Sequence, residues 1–106
     1  MQSRFSDYVL DTSRWELRRA GRLIKLRPKV FDVLVYLISQ RHRVISRPEL
    51  LDRLWPQQFV GEATLNSCVM EARQALGDMG QAQRLIQTLH GRGYRFVAAY
   101  SVGAAQ

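Results

Sequence analysis

The 106-residue chain reads as one α+β domain: strands first, then three helices, then a closing hairpin. Three observations predict this order. From about residue 5 to 26, apolar clusters and period-two alternation mark strands. Three later segments, about 28–40, 47–54 and 62–76, carry helical spacing with start and stop signals. Two strand-like runs within about 84–98 flank the turn His90-Gly91-Arg92-Gly93. The domain is expected to cover 1–100. The small, polar run Ser101-Val102-Gly103-Ala104-Ala105-Gln106 is expected to be a linker or frayed tail.

Each element has its own reason. Phe5, Tyr8, Val9 and Leu10 form one apolar cluster, and Trp15 and Leu17 alternate with Glu16 and Arg18. Ala20-Gly21 punctuates the chain before Leu23-Ile24-Lys25-Leu26, so a hairpin should turn at Gly21, where glycine supplies positive φ. Pro28 suits a first helical turn, where a missing N–H costs nothing. Val30, Phe31, Leu34, Val35, Leu37 and Ile38 cover more than one stripe, so the first helix should lie buried between the sheet and the other helices. Arg41-His42-Arg43 is a polar break, and Val44-Ile45 could form a short strand. Ser46-Arg47-Pro48-Glu49 reads as a capping box: the serine accepts from the backbone and the glutamate reaches back. Trp55-Pro56 ends the second helix, and Gln57 to Gly61 is a loop. In the third helix Leu65, Val69, Ala72 and Leu76 share one face, and Gly77 stands where a left-handed C-cap wants glycine. After a polar connection, Leu85-Ile86-Gln87-Thr88-Leu89 and Tyr94-Arg95-Phe96-Val97 are the two arms of the hairpin.

Composition narrows the function. Sixteen Lys and Arg against nine Asp and Glu give a net charge of +7, which favours a polyanion such as DNA or RNA. The excess is uneven. Residues 1–47 hold 11 basic and 4 acidic residues (+7), whereas residues 48–106 hold 5 of each. The single cysteine, Cys68, excludes a disulfide framework and suits a cytoplasmic domain. It reads as a small semi-buried thiol on a flank of the third helix rather than a redox sensor, because no basic neighbour stands within one turn. Cys68, His42 and His90 lack metal-site spacing, so neither metal nor cofactor is expected. Trp15 and Trp55 read as core or core-edge aromatics. No nucleophile–base pair or paired carboxylates stand out, so the chain is not expected to be an enzyme. No apolar run approaches the roughly 18 residues of a membrane span, and Met1-Gln2-Ser3-Arg4 precedes no signal-type apolar region.

Three compact helices followed by a hairpin suggest a winged helix-turn-helix. In that arrangement the third helix enters the major groove of double-stranded DNA and the hairpin lies along the backbone or minor groove. The face opposite the core stripe carries Ala63, Thr64, Ser67, Met70, Glu71 and Gln74, small and polar enough for close approach to base edges.

Four blocks then resemble the OmpR/PhoB family of transcription regulators. Leu26-Arg27-Pro28-Lys29-Val30-Phe31-Asp32-Val33-Leu34 is similar to its L-T-P-K-E-F-x-L-L. Val44 to Trp55 is similar to V-V-S-R-E-x-L-L-x-x-V-W. Thr64 with Arg73-Gln74-Ala75-Leu76-Gly77-Asp78 resembles the recognition helix and its end. Leu85 to Phe96 is similar to L-I-x-T-V-R-G-x-G-Y-R-F. The resemblance implies DNA contacts at Ala63, Thr64, Ser67, Cys68, Met70, Glu71 and Arg73 on the third helix; Gln74, on the outer face of the same helix, is a further candidate base reader. It implies wing contacts at Thr88, His90 and Arg92, and a phosphate contact at Arg47. It also implies that the loop Gln57, Gln58, Phe59 and Val60 touches RNA polymerase. Met70 and Glu71 stand where the family is commonly basic, and His90 replaces a usual arginine. Two expectations follow: weak binding that needs a tandem or dimeric partner on DNA, or a basic face that binds something else. A winged helix used for protein–protein contact is the alternative function. A chain opening on this domain resembles CadC/ToxR-like membrane regulators and ATPase-fused regulators, which implies a C-terminal sensor or ATPase region and, in the former, a membrane anchor.

Overall fold

The computed structural model describes residues 2–78, 83–98 and the backbone of 101–103. Among them the order is β1 (Gln2–Phe5), β2 (Tyr8–Asp11), β3 (Glu16–Arg19), β4 (Arg22–Ile24), α1 (Pro28–Ser39), α2 (Arg47–Leu54), α3 (Glu62–Ala75), β5 (Ile86–Leu89), β6 (Gly93–Phe96) and β7 (Ser101–Gly103). The α+β winged-helix architecture is therefore present, and the helix ends differ from the expected ones by at most one residue.

The first sheet is antiparallel in the order β4-β3-β2-β1-β7. Register places Ser3, Leu10, Leu17 and Ile24 side by side, and the first three are buried. The next row, Arg4, Val9, Arg18 and Leu23, lies on the other face by the period-two rule. Ala20 and Gly21, at φ +50 and +79, close β3 and β4 with the turn that matches strand twist.

Two sequence expectations fail here. Ser101–Gly103 is no tail, because it pairs with β1 in the register Gln2↔Gly103 and Arg4↔Ser101. Without it β1 would be an open edge of unpaired N–H and C=O groups. Residues 104–106, and the polar connection at 79–82, lie outside the described residues. Trp15, read as a strand residue, sits at φ +57 in the turn before β3. The Asp11 carboxylate closes that turn by accepting from the Ser13 and Arg14 N–H groups at 2.9 and 3.2 Å. Trp15 is left half-exposed, its ring 4.6 Å from that of Phe31.

α1 is the central element. Val30, Phe31, Val33, Leu34, Leu37 and Ile38 are all buried, each stabilising by about 2 kcal/mol as apolar surface leaves water. α2 begins as expected, with the Glu49 N–H donating to Ser46 Oγ at 3.2 Å. The reciprocal half of the box is replaced. The Glu49 carboxylate accepts from Arg43 Nη1 at 2.9 Å and from the Tyr36 hydroxyl, and so ties α2 to α1. Arg43, helped by Tyr36, holds the Glu49 carboxyl down at about 2, from 4.5 for an ordinary glutamate. Lys29 adds a second tie, donating to the Leu54 carbonyl at the C-terminal end of α2. Leu65, Val69, Ala72 and Leu76 face the core as expected. Gly77, at φ +67, ends α3 in a Schellman motif: Asp78 N–H donates to Arg73 O at 2.8 Å and Gly77 N–H to Gln74 O at 3.1 Å. The short strand expected at Val44-Ile45 is a single bridge, Ile45 to Tyr94.

Candidate nucleic-acid interface

The exposed face of α3 follows from its spacing. Ala63, Asn66, Ser67, Met70 and Gln74 recur at helical intervals and are all exposed, forming one stripe opposite the core. Thr64 is exposed on its flank. None of these side chains is charged, and apart from Met70 they are small or amide-bearing.

Beside this stripe lies the β5–β6 hairpin, held by four sets of bonds. Arg73 Nη2 donates to Ile86 O at 3.0 Å and to the Thr88 hydroxyl. The Tyr94 hydroxyl donates to Asn66 Oδ1 at 2.9 Å. The backbones of Ile45 and Tyr94 exchange bonds of 2.8 and 2.9 Å. The buried Asp78 carboxylate accepts from the N–H groups of Arg84, Leu85 and Ile86 at 2.8 to 3.0 Å, fixing the chain as it enters β5. Gly93 is needed for the third set. Its φ is +139, and a Cβ there would lie 1.9 Å from Ile45 O.

The two carboxylates of α3 are matched by arginines from earlier in the chain. Arg27 Nε donates to Glu71 Oε1 at 2.9 Å, which lowers the Glu71 carboxyl below its ordinary range. Arg47 Nε stands 3.7 Å from Glu62 Oε1, and its guanidinium lies 5.0 Å over the Tyr94 ring. The helix counts −1 by itself, yet Arg27 and Arg47 bring the local sum to +1 (Arg27, Arg47 and Arg73 against Glu62 and Glu71). Part of the basic excess of residues 1–47 thus returns to α3.

The expected contact residues separate into groups. Ala63, Thr64, Ser67, Met70 and Gln74 share the outer surface of α3. His90 and Arg92 are exposed at the hairpin tip, where Gly91 takes φ +73. Arg73 and Thr88 are partly buried against one another, and Glu71 is engaged with Arg27. Cys68 is a correction: it is 1% exposed, inside the core rather than on a flank, and burial pushes its thiol up. Gln57, Gln58 and Phe59 are exposed, with Phe59 wholly so, while Val60 packs against the core. That loop borders a groove of about 390 Å³ lined by Pro48, Leu51 and Trp55.

Sequence reasoning missed Asn66, Tyr94, Arg95 and Asp78. Asn66 was within reach, because it stands three residues from Ala63 and four from Met70. Arg95 was readable as the outward residue of an alternating strand, and the structure leaves it exposed. Nothing local signals that Tyr94 reaches Asn66, 28 residues away.

Among the described residues no group of His, Cys, Asp and Glu is placed to hold a metal, and no helix is long and apolar enough to cross a membrane.

A helical trio fronted by a sheet, with a hairpin docked along its third helix, defines the class: a winged helix-turn-helix effector domain. The chain belongs to the family described as "Transcriptional regulatory protein, C terminal", whose model matches residues 21–96, and is of the OmpR/PhoB type. It is 34% identical over 92 residues to the transcriptional regulator HilA of Salmonella typhi, covering 87% of this chain and 16% of that protein. It is 28% identical over 95 residues to the transcriptional activator CadC of Escherichia coli, covering 89% and 19%. Among solved structures it resembles the DNA-binding domain of E. coli CadC (TM-score 0.81, 26% identity, 95% of each chain). It also resembles the Thermotoga maritima response regulator DrrB, an OmpR/PhoB homologue (TM-score 0.83, 27% identity, 91% of this chain and 44% of that one). The chain thus spans less than a fifth of the length of HilA or CadC.

Proposed function

We propose that this domain binds double-stranded DNA sequence-specifically to regulate transcription. The observation that carries this reading is the uncharged, small-residue stripe of α3 with the wing locked alongside it. Small side chains let a helix backbone come close to base edges in a groove about 12 Å wide, and amides such as those of Asn66 and Gln74 can read them. Ala63, Thr64, Asn66, Ser67, Met70 and Gln74 meet the base edges. Arg47, His90 and Arg92 hold phosphates or the minor groove. Arg73, Thr88 and Tyr94 hold the wing against α3, and Glu71 neutralises Arg27. The loop Gln57 to Val60 is the surface for RNA polymerase, because Phe59 is a large apolar side chain wholly in water. With so few cations at the interface, two copies in tandem supply the affinity that one lacks. The input signal then lies in a sensor or ATPase region elsewhere in a longer protein, with or without a membrane anchor.

Selection of bound duplexes from a random pool, followed by titration of the selected duplex, tests the reading. Ser67→Glu should weaken specific binding at least a hundredfold with an unchanged circular dichroism spectrum. Undiminished binding by that variant would overturn the major-groove assignment. The lack of any outward charge on the stripe also favours a second reading, a protein–protein module. A chain that retains no duplex at low salt would support it.

A further inference from the structure

A second surface, away from the α3 stripe, carries features that DNA binding does not use. β4 is an edge of the sheet, and beside it runs a groove of about 430 Å³. Leu26, Pro28 and Phe31 line it together with Trp15 and Leu23, which are 50% and 49% exposed. Arg14 and Lys25 stand at its rim, and Arg22 lies on β4 itself.

The nearby acids are already engaged. Asp7 pairs with Arg19 at 2.9 Å, Glu16 with Arg18 at 3.2 Å, and Asp11 closes its own turn. Among the described residues Arg14, Arg22 and Lys25 have no ion-pair partner, so this end of the sheet keeps an uncompensated positive charge. Trp15 stays half-exposed in the turn before β3, where the turn closed by Asp11 holds it left-handed.

Each feature fixes one property of an occupant. An open sheet edge takes an extended chain, which completes the backbone hydrogen bonds. An apolar floor takes large apolar side chains, and the unpaired cations take carboxylates. We propose that this groove docks an extended, acidic polypeptide segment that carries large apolar side chains. A second copy pairing edge to edge is disfavoured, since Arg22 and Lys25 would meet their like. A DNA backbone would satisfy the cations but leave Trp15 and Leu23 in water.

The test needs only the wild-type chain and a synthetic peptide that alternates acidic with phenylalanine or leucine residues. Amide shift mapping should show saturable changes confined to 14–17, 22–27 and the first turns of α1 around Phe31. The emission of Trp15 should shift to the blue, while buried Trp55 contributes a constant background. A lysine-for-acid version of the peptide should not bind. The double variant Arg14→Glu, Lys25→Glu should weaken the acidic peptide about tenfold, the size expected for two exposed charge reversals. Its affinity for a selected duplex should be unchanged. Three outcomes overturn the proposal: no saturable shift at low salt, shifts that map to α3 and the wing, or a duplex that perturbs the groove instead of the peptide.

Discussion

Tyr94 touches two helices and the segment between α1 and α2: its hydroxyl meets Asn66 on α3, its ring lies under Arg47 of α2, and its backbone bridges Ile45. With Asn66 Oδ1 accepting from that hydroxyl, the proposed binding mode uses its amide N–H₂ as the donor to a base edge. Tyr94→Phe keeps the ring and removes only the bond. It should cost about 1 kcal/mol or less, since Asn66 can bond water instead. Discrimination at the base pair facing Asn66 should fall several-fold, as measured on a panel of duplexes substituted one position at a time. Gly93 and Gly91 separate two kinds of glycine requirement. Gly91→Ala meets only the left-handed backbone cost, about 1 kcal/mol. Gly93→Ala drives a methyl into the Ile45 carbonyl and should cost about 3 kcal/mol or more in urea denaturation, because backbone must move on both sides. Equal losses at the two positions would contradict the contact at Ile45.

Elements here are joined by carboxylates more than by their own ends. Glu49 links α2 to Tyr36 of α1 and to Arg43 between them. Its folded carboxyl titrates at about 2, below the 4.5 of an ordinary glutamate, so folding favours the charged form. That stability is present above about pH 4.5 and is lost as pH falls towards 2. Urea midpoints measured across this window should fall more steeply for the wild type than for Glu49→Gln. Asp78 ties the end of α3 to the start of the wing through its three backbone hydrogen bonds. Asp78→Ala strands three N–H groups in a partly buried place and should cost about 2–3 kcal/mol. The elements most legible in the sequence were the helices. α1 and α3 carry long apolar periodicity, and Pro28, Ser46 and Gly77 mark the start of α1, the start of α2 and the end of α3 by local chemistry alone. β7 was illegible because Ser101–Gly103 has no alternation of its own, and its pairing is decided by the open edge of β1. Trp15 misled because a side-chain-closed turn at Asp11 outweighs a short period-two pattern.

Taken as one body, the domain spreads its positive charge over several surfaces, two of which flank α3 and β4. In the proposed binding mode Arg47 and Arg92, with the exposed Arg95 of β6, are the cations that face phosphates. At about −0.9 per phosphate neutralised, log affinity against log salt should slope at about −3 for one copy on one site. A slope near twice that on a duplex with two adjacent sites would mark tandem occupancy, and fluorescence anisotropy across a salt series reads it directly. The candidate site was half legible by the same logic. Ala63, Thr64, Ser67, Met70 and Gln74 follow from helical spacing, whereas the true partners of Arg73, Glu71 and Cys68 depend on what packs beside α3. The wing is also fastened to the body on both of its strands, through Asp78 to β5 and through Ile45 to Tyr94. In the language of amide exchange, it therefore has no private opening reaction. The Ile45 and Tyr94 N–H groups should exchange only through global unfolding, at the rate set by the protected amides of α1, and a denaturant series should carry all of them along one isotherm.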